Sequence, residues 1–149
     1  MDIDYYTPLI VDLCAKLDLP DANHVLETRS IQVEGFDVRL DHFDDDTGLY
    51  ILFEFGAVAP ERMLGVYRLM LEANVLVYAQ DQAQLGVDRD TGNSVLIARA
   101  ELPELNGETL AEMLAHYAEH SRYWQQNFLR ATDEQYQAVV SDASIWIRA

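Results

Sequence analysis

Residues 60–102 constrain the fold most, because the spacing of their apolar residues changes from helical to extended within one stretch. Pro60 and Glu61 open an amphipathic helix, since proline fits the first turn and a carboxylate there opposes the positive end of the helix dipole. Apolar residues then recur three and four positions apart as far as Val75. The apolar surface is broad enough to pack on a sheet and to offer a second face beside it.

Two strands follow this helix. Residues 80–84 are polar and predict a loop, and residues 85–88 and 94–102 have strand character. Between the strands, residues 89–93 have the composition of a tight turn, and Pro103 ends the second strand. The stretch as a whole therefore predicts a helix followed by a β-hairpin.

Upstream, one helix precedes three strands. Residues 5–18 carry an apolar stripe at helical spacing, with Thr7 before Pro8 as the expected cap, and residues 21–27 predict a polar connection. The period then changes to two, with a turn at Gly35, which predicts a hairpin with one apolar face. Residues 49–55 are more uniformly apolar, as in a strand covered on both faces.

Downstream, Thr109 has capping-box spacing and opens a third helix that ends near Arg130. Thr132 repeats that spacing and predicts a short fourth helix. The fold class is therefore α+β, with an antiparallel sheet and three helices, or four with the last segment, in the order α-β-β-β-α-β-β-α(-α). We expect one domain over residues 1–130 and a C-terminal extension over 131–149, a short helix packed on the domain.

Charge and composition restrict the partners. Lys and Arg number 10 against 26 Asp and Glu, for a formal net charge of −16. Such a field repels phosphate backbones and anionic lipid, which argues against nucleic acid and membrane surfaces as partners. The single Cys14, the acidic first residues and the absence of a long apolar run predict an intracellular protein without membrane insertion.

Two short motifs suggest catalysis. His116 and His120 with Glu119 between them match the spelling of an inverted zinc-protease motif, but few acidic residues follow that could supply a third ligand. Asp90-Thr91-Gly92 spells the aspartic-protease triplet, but it lies in a charged turn. We favour a solvated helix face for the first motif and turn chemistry for the second.

Other chemical groups point to no site. The acidic residues from Asp41 to Asp46 do not have the spacing of a calcium loop, so a solvated turn is favoured. Cys14 lies in an apolar helix and is expected to be inert. We therefore expect no catalytic residue, no metal and no cofactor.

The order of elements and several short sequence stretches resemble those of the class I chaperones of bacterial type III secretion, the Tir chaperone (CesT-like) family. The resemblance covers roughly residues 1–130. It is carried by residues 69–76, the strand at 85–88, the turn at Thr91-Gly92, the apolar strand at 95–102, and a long acidic helix with Trp124 in its second half.

The resemblance implies a homodimer with a strongly twisted antiparallel sheet, in the bacterial cytoplasm. Members bind the N-terminal chaperone-binding segment of one or more secreted effector proteins in an extended form, adding strands to sheet edges. They keep that segment secretion-competent and present it to the export apparatus, whose ATPase is a candidate partner. No nucleotide is used and no bond is made or broken.

Site residues follow from the family pattern. The dimer interface is assigned to the second helix and a neighbouring strand: Met63, Tyr67, Met70, Leu71 and Val87. Effector binding is assigned to the first helix and first strands: Leu9, Leu13, Ile31, Val33, Val38 and Leu40. For each of these residues the alternative is an ordinary place in the core. The C-terminal extension could pack on the dimer, cap the third helix or touch the client.

The residues themselves support such a role in general terms. A sheet built from two separate antiparallel groups would have open edges, and an unpaired edge can accept an extended peptide. Two other hypotheses remain open at this point. One is a small hydrolase that uses His116 and His120 or a dimeric Asp90 site, and the other is an adaptor domain that binds a folded regulator.

Overall fold

The structure, a computed structural model, describes residues 4–42 and 47–141. Within them lie five α-helices: α1 (Tyr6–Lys16), α2 (Ala22–Thr28), α3 (Met63–Asp81), α4 (Gly107–Trp124) and α5 (Asp133–Val140). Five strands accompany them: β1 (Ser30–Val33), β2 (Phe36–His42), β3 (Gly48–Gly56), β4 (Ala83–Val87) and β5 (Ser94–Glu101). The α+β class and the order of strands and long helices are confirmed, and α2 is an addition to that order.

The five strands form one antiparallel sheet in the order β1-β2-β3-β5-β4. The link between the two hairpins is the long pairing of β3 with β5, in which Leu52 lies opposite Ile97. The prediction of one antiparallel sheet built from a meander and a hairpin is therefore confirmed, and β3 and β5 are the strands that join the two groups. The edges of the sheet are β1 on one side and β4 on the other.

One face of this sheet carries the core. Residues of β2 and β3 alternate, so that Leu40 and Ile51 are almost fully buried while their neighbours are more exposed. In β5 the first three residues, 94–96, are all buried, and alternation begins after them. β3 itself alternates between buried and partly exposed residues, which corrects the expectation of a strand covered on both faces. Successive side chains of a strand point to opposite faces, so only every second residue of β3 enters the core, although the residues between them are also largely apolar.

Three long helices close the core. α1 and α4 pack on each other, and the Asp12 carboxylate of α1 accepts a hydrogen bond from the Gly107 backbone N–H at the start of α4 (2.7 Å). α3 buries one stripe, formed by Val66, Met70, Ala73 and Val77. This spacing of four, three and four residues is that of a helix with one face in the core.

The helix caps differ from the expected ones by a few residues. The Asp4 carboxylate, not Thr7, accepts hydrogen bonds at the start of α1, from the backbone N–H groups of Tyr6 and Thr7 at 3.0 Å each. Asn106, not Thr109, caps α4 and forms a reciprocal capping box with Thr109. In both helices a carboxylate or carboxamide three residues ahead of the expected cap accepts from the free backbone donors.

Two segments predicted as loops are largely helix or strand in the structure. Residues 21–27 form most of α2, capped by the Asp21 side chain, which accepts from the His24 backbone N–H (3.1 Å). Residues 80–84 are not a loop, because α3 runs to Asp81 and β4 begins at Ala83. The single residue between them, Gln82, reverses the chain in the left-handed region (φ 52°).

The C-terminal part of the described chain continues beyond α4. A π-helical turn, Gln125–Leu129, follows α4 directly, and α5 begins after a capping box formed by Thr132 and Gln135. Among the described helices, none combines the length and the apolar character needed to cross a membrane.

Candidate binding surfaces

The first candidate surface is the outer edge of β1, the side of this edge strand that faces away from β2. β1 and β2 are joined by a two-residue turn in which Glu34 (φ 49°) and Gly35 (φ 89°) both have positive φ, as a type I′ turn requires. The Leu40 N–H donates to the Arg29 carbonyl at 2.9 Å, and by antiparallel alternation the N–H and C=O groups of Ser30 and Gln32 point outward. The Thr28 hydroxyl donates a long, weak hydrogen bond to the Ser30 carbonyl, at 3.4 Å.

A groove of about 490 Å³ lies beside this edge, between α2 and β1. Its position follows from α2, which buries Val25 in the core, packs the partly buried Ala22 and Leu26 against it, and leaves its other residues exposed. The lining residues are Leu19, Pro20, Asp21, His24, Val25, Thr28, Ser30, Ile31 and Gln32. The groove therefore combines apolar side chains with an outward-facing strand edge.

The six residues predicted to bind an effector lie in the core. Each is at most 8% exposed, and only Ile31 also lines the groove. Their burial follows from the strand alternation of β1 and β2 and from the helical spacing in α1, which direct these side chains to the core. Effector binding by them stays a prediction: Leu9, Leu13, Ile31, Val33, Val38 and Leu40.

The second surface is an apolar stripe on α3, opposite its buried face. Four residues spaced seven, four and three apart are between 60% and 87% exposed: Leu64, Leu71, Val75 and Tyr78. We call them the α3 stripe. Isolated exposed apolar residues are ordinary, but a contiguous row on one helix marks an interaction surface.

The residues predicted for the dimer interface divide between this surface and the core. Leu71 belongs to the α3 stripe, and Met63 and Val87 are also exposed. Tyr67 is half-buried, and Met70 is buried among the core residues. The interface predicted from the sequence omits Leu64, Val75 and Tyr78, although together with Leu71 they show a spacing of seven, four and three residues in the sequence. A dimer interface at these positions stays a prediction.

At the opposite edge of the sheet, a side chain takes the place of a neighbouring strand. The Asn74 amide on α3 makes two hydrogen bonds with the backbone of Leu85 in β4. Asn74 Oδ1 accepts from the Leu85 N–H at 2.7 Å, and Nδ2 donates to the Leu85 carbonyl at 3.0 Å. These are the two bonds that a residue of an added antiparallel strand would make.

The two histidines of α4 face a carboxylate at the end of α3. His116 Nε2 lies 2.9 Å from one Asp81 oxygen, and His120 Nε2 lies 3.8 Å from the other. The Tyr117 hydroxyl donates to the Asp81 carbonyl at 3.1 Å. Over residues 4–42 and 47–141, no group of three or more His, Cys, Asp or Glu residues is placed to hold a metal ion. The arrangement fastens α4 to α3.

Asp90-Thr91-Gly92 forms a turn, as predicted. The Asp88 carboxylate accepts hydrogen bonds from the backbone N–H groups of Asp90 (2.8 Å) and Thr91 (3.2 Å), and Gly92 has a φ of 75°. The Thr91 hydroxyl donates to the Glu54 carboxylate at 2.8 Å, which fixes the turn to β3. These bonds are those of an Asx turn, and they account for the triplet without catalysis.

The remaining chemical groups have structural roles. Cys14 is buried in α1, and burial raises the pKa of its thiol, which opposes formation of a reactive thiolate. Trp124 is fully buried in the core. The acidic residues at 44–46 lie outside the described residues.

A polar cluster fixes the end of β2 to α1. The Tyr6 hydroxyl donates to the Leu40 carbonyl at 2.7 Å, and burial raises the pKa of Tyr6 to about 12. Nearby, partial burial works against ionisation of Asp41. The hydrogen bond from the His42 N–H and the charges of Arg39 and Arg29 outweigh that effect and keep the pKa of Asp41 below its usual value.

The comparisons with known proteins agree with this architecture. The model of the Tir chaperone protein (CesT) family matches residues 9–125. The chain therefore belongs to the Tir chaperone protein (CesT) family, and it is a type III secretion effector chaperone by class. No curated protein matches the chain in sequence.

Several solved structures have the same fold. A chain of the ExsC–ExsE complex is 19% identical and superposes with a TM-score of 0.71 over 89% of this chain and 100% of that chain. A chain of the HopA1–SchA chaperone–effector complex is 16% identical, with a TM-score of 0.63 over 83% and 98%. A chain from the complex of the Yersinia pestis type III secretion chaperone SycH with a stable fragment of YscM2 is 15% identical, with a TM-score of 0.59 over 79% and 98%.

Proposed function

We propose that this chain is a homodimeric chaperone of the bacterial cytoplasm that binds the N-terminal segment of a secreted effector as an added strand on β1. The observation that carries the proposal is the outward-facing edge of β1 beside the groove between β1 and α2. The chaperone keeps that segment extended and presents it to the export apparatus, whose ATPase is a candidate partner. It acts by binding alone, without making or breaking a bond.

An extended segment fits this edge for two reasons. Its backbone can exchange hydrogen bonds with the outward groups of Gln32 and Ser30, which gives affinity that depends little on sequence. Its alternate side chains then point into the groove, where Leu19 and Val25 offer apolar surface. Specificity would come from the groove, and the weak Thr28 contact to the Ser30 carbonyl would give way to the client.

Charge favours a basic or neutral client. The net charge of −16 lowers the potential around the whole molecule, and Asp21 brings a carboxylate to the groove itself. A client segment with lysine or arginine near this end of the groove would associate faster at low ionic strength. The same charge keeps a protein with exposed apolar surfaces from aggregating.

The α3 stripe is the proposed dimer surface. It is the exposed side of the longest helix, and Met63 and Val87 extend the apolar area at its borders. A second copy of the same stripe would bury these side chains by a two-fold contact, in which each helix meets its equivalent. With the dimer contact on α3, the groove beside β1 remains open in each protomer.

The C-terminal segment from residue 131 onward is proposed to pack on the domain as part of each protomer. Arg62, next to the start of α3, donates to the carbonyl of Ala131 (2.8 Å) and to the Asp133 carboxylate (2.8 Å). These hydrogen bonds from Arg62 support the packing of this segment near the first turn of α3.

Replacement of Gln32 by proline tests the proposed client edge. The Gln32 N–H points outward, so proline removes a donor to the client without removing a hydrogen bond to β2. With the N-terminal segment of a secreted effector encoded beside the chaperone, we expect Gln32→Pro to weaken binding at least tenfold by calorimetry. Gln32→Ala is the matched control, because it loses the same groove side chain but retains the backbone donor, so the difference in affinity between the two variants measures the backbone bond.

Equal affinity of the proline and alanine variants would overturn strand addition at β1. A compact footprint in protease-protection mapping of the bound client, in place of a long extended one, would instead favour an adaptor that binds a folded partner. Circular dichroism of both variants establishes that the loss, if seen, is not a loss of folding.

A further inference from the structure

The two edges of the sheet are not equivalent. β1 directs the N–H and C=O groups of Ser30 and Gln32 outward beside a groove, whereas the corresponding groups at the centre of β4 are already bonded. Leu85 lies opposite Leu96 of β5, but its N–H and C=O both point to Asn74 on the other side. The amide of one side chain thus stands where the next strand would be.

We propose that Asn74 closes the β4 edge to extended segments, so that a strand can be added to this sheet at β1 and not at β4. The assignment of the added strand to a client rests on the proposed function, but closure of β4 is a property of the fold itself. Asn74 is a positioning residue here, since it decides which edge is available and does not contact the client.

The geometry of β4 makes one side chain sufficient. β4 has five residues, and by alternation the groups of Ala83, Leu85 and Val87 point outward. Ala83 follows α3 after a single residue, so the end of the helix lies beside it. With Leu85 bonded to Asn74 at the centre of β4, an added strand could not pair continuously with Ala83, Leu85 and Val87, and separate single pairs of bonds cannot hold a strand in register.

The chemistry of asparagine suits this task better than that of its near relatives. A carboxamide offers one donor and one acceptor on the same plane, which matches the N–H and C=O of a single β residue. Aspartate would accept from the Leu85 N–H but could not donate to the carbonyl, and leucine would do neither. At an apolar position of α3, an isolated polar side chain with both bonds satisfied indicates a specific role.

The test uses the chain itself as the extended segment, because a second copy always presents a β4 edge. In Asn74→Ala we expect at least a tenfold faster amide exchange at Leu85, measured at low protein concentration. At high concentration we expect species larger than those of wild type by light scattering, with exchange protection restored across residues 83–87. Gln80→Ala, at an exposed position of the same helix, is the matched control and should behave like wild type.

Three results would overturn the proposal. One is exchange at Leu85 that matches the Gln80→Ala control. A second is faster exchange with an unchanged distribution of oligomers, which would make Asn74 a local structural bond only. The third is larger species in which residues 83–87 remain unprotected, since these would associate elsewhere.

Folding is checked independently. If Asn74→Ala lacks the wild-type circular dichroism, Asn74→Leu replaces it, because leucine fills a similar volume without either hydrogen bond. The outcome is separate from that of Gln32→Pro: loss of client binding in the β1 variant neither requires nor excludes opening of β4. Failure of one test therefore leaves the other interpretable.

Discussion

Among single residues, Tyr6 links stability to pH. Its hydroxyl is buried and bonded to the Leu40 carbonyl, and its pKa is raised from the usual 10.0 to about 12. Because the folded state holds this proton more tightly than the unfolded chain, the stabilising contribution is complete below pH 10. It is lost as the pH rises from 10 to 12.

We expect wild type to lose about 2–3 kcal/mol from this group over that interval, at about 1.4 kcal/mol for each pKa unit. Tyr6→Phe should cost about 1 kcal/mol at pH 8, where the hydrogen bond is missing. Urea unfolding at pH 8, 10 and 11.5 measures both effects. The stability advantage of wild type over the variant should shrink and then reverse as the pH rises, and a constant difference would contradict the role given to Tyr6.

The sequence predicts on which side of α3 Asn74 lies, but not the partner of its side chain. The sequence placed Asn74 in the same helical row as Met70, and the spacing was correct for a row on one side of α3. What it could not give is the partner, since the backbone of Leu85 is eleven residues away and reaches Asn74 only after the chain reverses at Gln82. A polar residue within an apolar row was the available signal.

At the scale of elements, α5 depends on one buried cation. Arg62 donates to the carbonyls of Phe128 (3.1 Å) and Ala131 (2.8 Å), and its guanidinium lies 4.6 Å from the centre of the Tyr136 ring. The bond to Asp133 contributes little, because that side chain is 95% exposed. The carbonyls and the ring, not the ion pair, therefore hold α5.

Arg62→Met is expected to lower the free energy of unfolding by about 2 kcal/mol, since it leaves a buried carbonyl without its donor. Hydrogen exchange in α5 should rise more than exchange in α4. Asp133→Asn is the control, and we expect it to cost less than about 1 kcal/mol. Equal losses in the two variants would show that the exposed ion pair holds α5 after all.

Helices and strands with a repeating pattern of apolar residues were predicted correctly. A short helix with a single buried side chain was not. α3 and the strands of both hairpins carry long apolar patterns, so their existence followed from spacing alone. α2 has seven residues and one buried side chain, Val25, which is too few to establish a helical period. Its signal was Asp21 as a capping residue after Pro20, and because α2 was missed, the groove beside β1 was missed with it.

At the scale of the whole molecule, the proposed dimer makes a prediction about mass. Leu71→Glu places a charge in the centre of the α3 stripe, where two copies of it would face each other across the two-fold axis. We expect light scattering to give twice 17.0 kDa for wild type and 17.0 kDa for the variant.

The control is Val11→Glu, which puts the same charge on another exposed apolar residue, on α1. It should leave the mass of wild type unchanged. A variant at Leu71 that keeps the wild-type mass, with the wild-type circular dichroism, would place the dimer contact elsewhere.

The single residue between α3 and β4 has a consequence for the length of the client. Because only Gln82 separates them, the helix cannot turn independently of the strand, and the proposed dimer contact is rigidly tied to one edge of each sheet. β1 lies four strand spacings away from β4, about 19 Å at the usual separation of strands. In the proposed dimer, a segment that crosses both sheets from one β1 to the other covers two such widths, about 40 Å, or roughly twelve extended residues. We therefore expect an effector with a shorter interval between two binding strands to occupy only one protomer of the proposed dimer.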